Sequence, residues 1–127
     1  MSTNGDPCFT FLVIVWLSAL SSAFVDNIPF TTTMIPVIDS LNEESIIASA
    51  FDSFQISPLW WALSLGANFG GNGTLIGSSA AIIVVGLSEK LHYGITFNRF
   101  IKVGFPFMVL TVLAGTVVLL IDTLLRI

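Results

Sequence analysis

The stretch FGGNGTLIGSS (residues 69–79) places glycines and an Asn-Thr pair in the middle of a strongly apolar segment. As one straight helix, that segment (residues 58–87) would be about 45 Å long, whereas the hydrocarbon core of a bilayer is about 30 Å thick. Glycine weakens the interior of a helix. The sequence therefore predicts a helix that is broken between Gly70 and Gly77.

The composition indicates an all-α integral membrane protein. Hydrophobic residues make up 54% of the chain and charged residues 9%, whereas soluble domains carry about 25% charged residues. The chain is therefore predicted to lie in the lipid bilayer and to cross it several times. The net charge of −4 excludes a basic nucleic-acid surface. The amino-terminal residues MSTNGDPC lack the basic region of a signal peptide, so the apolar run after them is interpreted as part of the fold.

Three apolar runs organise the chain, at residues 9–25, 58–87 and 104–121. Pro29 and Pro36 follow the first run and oppose a continuing helix. The segment 39–57 is acidic, and NEESIIASAF within it predicts a short surface helix. Basic residues concentrate in the segment 88–103, where TFNRFIK predicts an interfacial helix. The positive-inside tendency makes 88–103 cytoplasmic and places 39–57 on the opposite side.

Two polar interruptions, DNIPFTTT and GGNGTLIGSS, fall at membrane depth and predict a binding site. An unpaired backbone group in hydrocarbon costs several kcal/mol, so irregular backbone is tolerated only when it is buried in protein or lines a wet cavity. Helix breaks offer carbonyl oxygens to cations and amides to anions. The candidate ion or substrate ligands are Asn27, Asn72 and Thr74, followed by Asp26, Thr31, Gly71, Gly73 and Ser78.

Several features have a second interpretation. Gly66 and Gly70 form a GxxxG pair that is typical of close helix packing. Asp26 is either an intramembrane proton or cation relay or an N-cap at the turn. Cys8 and His92 are each the single residue of their type, so neither predicts a metal ligand. No metal cluster, phosphate loop or nucleophile-base pair is present, and the chain is predicted not to be an enzyme.

The motifs SAFVDNIPFTTTMIPVI, LGANFGGNGTLIGSSA and GFPFMVL resemble the last part of the ion transporter superfamily, over about residues 11–121. That superfamily includes citrate transporter-like proteins, arsenite permeases and NhaD-type sodium/proton antiporters. The motifs are similar in particular to the P-protein (pink-eyed dilution) type of melanosomal transporter. One departure is Ala81, where relatives commonly carry Asn.

The resemblance implies one of two inverted repeats, with its parts in a fixed order. They are a polar lead (1–8), a re-entrant helical hairpin (9–38) with its tip at residues 26–31, an acidic non-cytoplasmic loop (39–57), a broken transmembrane helix (58–87), a basic cytoplasmic loop with an interfacial helix (88–103) and a terminal transmembrane helix (104–127). The implied partners are a first repeat that this chain lacks or a full-length subunit. Intact relatives are expected to be homodimers.

The function implied by the resemblance is secondary-active transport of a small ion or anion by alternating access. The hairpin and the broken helix would move as one unit. The candidate coupling ion is Na⁺, near Asn27 or Asn72, or H⁺, and no other cofactor is expected. Such transport would set the pH of a melanosome-like organelle, or act at the plasma membrane. The alternative is a small membrane protein that does not transport but packs against or regulates a full-length transporter.

Overall fold

The computed structural model describes residues 6–52 and 56–126, and this part of the chain contains helices and no strand. The helices are α1 (Pro7–Ser22), α2 (Asn27–Glu43), α3 (Ser45–Ala50), α4 (Pro58–Gly70), α5 (Ser79–Lys90) and α6 (Phe97–Arg126). Among them, α6 alone is long and apolar enough to cross a membrane. The all-α class predicted from the composition is therefore confirmed.

Helices α1 and α2 are joined by a short turn at residues 23–26. Asp26 is the N-cap of α2, and its carboxylate accepts a hydrogen bond from the Asn27 amide over 2.8 Å. The N-cap interpretation of Asp26 is thereby confirmed. The tip was predicted at residues 26–31, whereas α2 already begins at Asn27. Pro29 does not delay the start of α2, because a proline is tolerated in the first turn of a helix.

The expectation that Pro36 ends the helix is wrong. Pro36 lies inside α2, which continues to Glu43 and so includes the start of the predicted acidic loop. A proline removes one backbone hydrogen bond, at a cost of about 3 kcal/mol in an isolated helix. Two residues later Ile38 is fully buried, which recovers about 2 kcal/mol. Helix α3 then falls within the segment that predicts a short helix.

The core is built on close contact between α1 and α4. The buried apolar side chains of α1 include Phe11 and Val15, and those of α4 include Leu59 and Leu63. Helix α6 covers this pair through Met108 and Val112. In a bilayer, helices pack in this way through van der Waals contact and interhelical hydrogen bonds, because lipid tails are as apolar as these side chains.

Glycines set the distance between α1 and α4. A methyl group built on Gly70 would lie 2.7 Å from Ala19 Cα, and one on Gly66 would lie 2.7 Å from Ser18 Cβ. Real carbon atoms do not approach so closely, so these positions require glycine. The packing interpretation of the Gly66–Gly70 pair is confirmed.

The apolar segment 58–87 is divided as predicted. Helix α4 ends at Gly70 and α5 begins at Ser79, which leaves residues 71–78 as irregular backbone. Helix α5 has no buried residue and exposes Ile82, Ile83 and Leu87. It extends away from the contact between α1 and α4.

Helix α6 is continuous over 30 residues. It begins at Phe97, the second residue of the sequence TFNRFIK, and includes the rest of that sequence. The predicted boundary between an interfacial helix (to residue 103) and a terminal span is therefore not a structural boundary. A change from polar to apolar side chains alters the preferred surroundings of a helix but not its backbone geometry, and Arg and Lys are good helix formers. The connector before α6 contains His92 with φ 64°, exposed as expected for a loop histidine.

Candidate functional site

The irregular segment 71–78 is anchored on the turn between α1 and α2 through Thr74. This side chain is buried, and its hydroxyl donates to the carbonyl oxygen of Ala23. The hydroxyl oxygen of Thr74 in turn accepts hydrogen bonds from the amides of Ile76, at 3.2 Å, and Gly77, at 3.3 Å. Thr74 therefore satisfies backbone groups that the helix break leaves open. In this arrangement its hydroxyl shapes the break and has no further lone pair for an ion.

Segment 71–78 contains glycines because methyl groups there, as on Gly66 and Gly70, would approach neighbouring atoms too closely. A methyl group on Gly77 would lie 2.6 Å from the carbonyl oxygen of Ser22, and one on Gly73 would lie 3.1 Å from Met108 Cε and 3.2 Å from Ala23 Cβ. The break is thus held between the turn after α1 and the face of α6. The predicted site residue Gly73 acts in packing at this point.

Ser22 links the turn to α4 by hydrogen bonds. Its hydroxyl oxygen lies 2.6 Å from the side-chain oxygen of Asn27 and 2.7 Å from the carbonyl oxygen of Ala67. A hydroxyl donates one proton, so both distances are satisfied when Ser22 donates to Ala67 and the Asn27 amide is turned to donate its NH₂ to Ser22. That orientation leaves the carbonyl oxygen of Asn27 as an acceptor that can bind an ion.

Asn27 and Gly71 bring the two polar interruptions together. A methyl group on Gly71 would lie 2.7 Å from the atom of the Asn27 amide that faces Ser22 and 3.4 Å from Asn27 Cγ. The missing side chain of Gly71 therefore makes room for the amide of Asn27. The first residue of α2 and the first residue after α4 meet, although 44 positions separate them along the chain.

A small cavity opens beside this contact. Its volume is about 290 Å³, and it is lined by Asn27, Ile28, Thr31, Thr32 and Asn68. The polar side chains in this lining are neutral amides and hydroxyls. Their oxygens suit a hard cation, and the same groups can donate hydrogen bonds to an anion.

Asn68 lines this cavity, although it was not among the site residues predicted from the sequence. It lies on α4 three residues before Gly71, and its amide nitrogen donates to the carbonyl oxygen of Ser64 over 2.7 Å. Residues three apart share a helix face. The position of Asn68, about one helical turn before the glycines of the break, is the sequence feature that could have predicted its role.

The structure does not bring Asn72 into the cavity of Asn27. Asn72 instead lines a larger cavity of about 590 Å³ with residues of the connector before α6 and of α6 itself. A methyl group on Gly104 would lie 2.6 Å from the backbone oxygen of Asn72, so that carbonyl faces α6 closely. Ser78 is half-buried at the N-cap of α5, outside both cavities.

Within residues 6–52 and 56–126, a helical fold with one helix long and apolar enough to cross a membrane, a broken helix and polar groups at the break is consistent with a membrane transporter. A family model described as citrate transporter matches residues 1–66. The chain belongs to this citrate transporter family. The resemblance to citrate transporter-like and P-protein-type transporters is confirmed.

Curated relatives agree with this assignment. Over 110 residues, the chain is 46% identical to the P protein of Sus scrofa, covering 87% of this chain and 12% of the relative. It is 47% identical to the P protein of Mus musculus, covering 87% of this chain and 13% of the relative. A 46 kDa membrane protein of Mycobacterium leprae is 36% identical over 89% of this chain and 25% of its own length. No solved structure matches the chain.

The chain thus spans about an eighth of the length of the P proteins and a quarter of that of the mycobacterial protein. A match over 110 of the 127 residues necessarily includes the helix break at residues 71–78. The relatives are transporters and membrane proteins rather than enzymes, which agrees with the prediction for this chain.

Proposed function

We propose that the chain forms half of the ion and substrate site of a secondary-active transporter that works by alternating access. The observation that carries the proposal is the contact of Asn27 with Gly71, which joins the hairpin turn to the helix break. In secondary transporters, binding sites form where broken helices of two repeats meet near the bilayer midplane. The contact provides one such half.

The cavity of Asn27, Thr31 and Asn68 would hold the coupling ion, Na⁺ in the first instance. A hard cation needs about six oxygen ligands, and the three side chains supply fewer. A second repeat facing this cavity would complete the shell. Proton coupling is the other form of the proposal, and it would use the carboxylate of Asp26, which lies next to Asn27 and caps α2.

The close packing of α1 on α4 supports movement of the hairpin and the broken helix as one body. Gly66 and Gly70 bring the two backbones into contact, and Ser22 and Thr74 add hydrogen bonds across the same interface. Interlocked surfaces without flexible side chains between them resist sliding. The proposed site would therefore travel intact as the transporter changes its access.

The names of the family and of the relatives suggest the substrate class. The family is described as citrate transporters and the mammalian relatives as P proteins. We accordingly propose an anion as the transported species, exchanged or co-transported with Na⁺ or H⁺ across an organelle or plasma membrane. The predicted pH-setting role belongs to this proposal. The role of Asn72 as a ligand stays a prediction, since it lines the other cavity.

The test uses a chimaera in which this chain replaces the matching 110-residue segment of the mouse P protein. The chimaera is reconstituted into liposomes, and uptake of labelled citrate and chloride is measured under Na⁺ and pH gradients. Asn27→Ala should lower coupled uptake by about tenfold, as expected for the loss of one ligand worth about 1.4 kcal/mol. Thr33→Ala is the matched control, since Thr33 lies on α2 but outside the cavity. Unchanged uptake by Asn27→Ala at equal protein density would refute the site.

A regulatory membrane protein is the second candidate, and one observation favours it. Helix α5 is apolar yet has no buried residue within the described part of the chain, so it offers Ile82, Ile83 and Leu87 to a partner. Co-purification of the chain with a full-length P protein, together with no uptake by the chimaera, would favour this function. Coupled uptake by the chimaera would favour transport.

A further inference from the structure

We infer that the 590 Å³ cavity beside the start of α6 binds one anionic phospholipid, with its phosphate at Arg99 and an acyl chain along α6. Tyr93, Gly94 and Ile95 of the connector form one wall of this cavity, and the first turns of α6 form the other. The inference goes beyond transport, because it concerns a cavity that Asn27 does not line.

One face of α6 carries a charged side chain followed by apolar side chains. Arg99, Val103 and Phe107 all line the cavity and are spaced four residues apart. Residues with this spacing share a helix face, and each lies about 6 Å beyond the one before it. The face therefore presents a cation first and then two apolar side chains. A phospholipid has the same order, a charged headgroup followed by an acyl chain.

The depth of these residues in a bilayer supports the same inference. The charge-free part of α6 begins at Val103, so Arg99 lies about 6 Å outside it. The headgroup layer extends about 5–8 Å beyond each side of the hydrocarbon core. When α6 spans the bilayer, Arg99 is therefore level with lipid phosphates, and Phe107 reaches into the acyl region.

The charge and exposure of the lining support it as well. No carboxylate lines the cavity, and the guanidinium of Arg99 forms no ion pair in residues 6–52 and 56–126. Asn72 and Tyr93 also line the cavity, and both are residue types that can donate hydrogen bonds. Val103 is 71% exposed and Phe107 is 55% exposed. The acyl chain of a lipid whose phosphate binds Arg99 can therefore lie against these two side chains. Basic pockets between membrane helices commonly bind anionic lipid headgroups.

The experiment counts lipids bound to the purified 127-residue chain by native mass spectrometry. The chain is released from micelles containing phosphatidylglycerol and phosphatidylcholine in equal amounts. We expect phosphatidylglycerol to bind about tenfold more tightly, as for one charge-assisted hydrogen bond. Arg99→Gln should reduce this preference to below about twofold. Lys102→Gln, which removes the same charge from an exposed position on α6 outside the cavity, should retain it.

Two further measurements separate the lipid from its competitors. Val103→Glu places a carboxylate on the same face as Arg99, at the edge of the charge-free part of α6, and should abolish the preference. Excess citrate or inorganic phosphate should not displace the lipid. Equal losses in Arg99→Gln and Lys102→Gln would overturn the inference, since they would indicate unspecific attraction. Displacement by citrate or phosphate would overturn it as well, because the cavity would then bind soluble anions.

Discussion

Replacing Gly70 by alanine should loosen the contact on which the proposed site is built. The added methyl group would lie 2.7 Å from Ala19 Cα and 2.8 Å from its carbonyl carbon. These are backbone atoms, so α4 must move by about 1 Å to reach ordinary van der Waals distance. Overpacking of this kind costs about 1–3 kcal/mol, and weakening the hydrogen bond from Ser22 to α4 adds about 1 kcal/mol. The expected loss of stability is roughly 2–4 kcal/mol.

The assay is unfolding of the chain by sodium dodecyl sulfate, followed by the fluorescence of Trp16 and Trp60, which pack against the core. Gly86→Ala is the matched control, because a methyl group on Gly86 meets nothing within 4 Å. The control should leave the stability of the core unchanged within about 0.5 kcal/mol, since α5 has no buried residue. If Gly70→Ala unfolds at the same detergent fraction as Gly86→Ala, the close approach of α1 and α4 is refuted.

Two further comparisons test the hydrogen bonds around the break. Ser18 and Ser22 are both fully buried on α1, yet Ser22 is hydrogen-bonded and Ser18 Oγ has no partner within the described residues. Ser22→Ala should therefore cost about 1 kcal/mol and Ser18→Ala about nothing in the same unfolding assay, and equal losses would contradict the network. Thr74→Val removes a hydroxyl that donates once and accepts twice, and should cost about 2 kcal/mol. Thr74→Ser should retain most of that stability, and a Val variant as stable as the Ser variant would show that packing alone holds the break.

The sequence was sufficient to predict the helical class and the position of the break. Both depend on local properties, namely the apolar composition and the glycines between Gly70 and Gly77. The N-cap role of Asp26 was likewise one of two interpretations that its neighbours allowed. Such features follow from propensities within a few residues along the chain.

The composition of the cavities could not be predicted in the same way. Asn72 was expected beside Asn27, but it lines the cavity at α6, and Asn68 lines the cavity of Asn27 instead. Directions of side chains in the irregular segment 71–78 depend on contacts with the turn after α1 and with α6. Those contacts are far apart in sequence and follow no period.

The continuation of α2 through Pro36 also depends on contacts between residues that are far apart in the sequence. Local propensity favours an end to the helix there, whereas burial of Ile38 favours its continuation. The balance between the two depends on the surface of α4 against which α2 packs. A single sequence does not show that surface.

The contact between the start of α2, just after the turn that follows α1, and the helix break carries the proposed site, and a disulfide provides its most direct test. Cysteines are placed at Asn27 and Gly71 in a Cys8→Ser background, and native membranes are oxidised. A methyl group on Gly71 lies 3.4 Å from Asn27 Cγ, the position that the sulfur of a cysteine at residue 27 would take. A disulfide of ordinary bond lengths places that sulfur about 3 Å from the partner Cβ, so the bridge can form with a small shift. The account predicts rapid cross-linking of this pair and none between Asn27→Cys and Gly86→Cys. Failure of the first pair to cross-link, with both thiols reactive to a maleimide, would contradict the account.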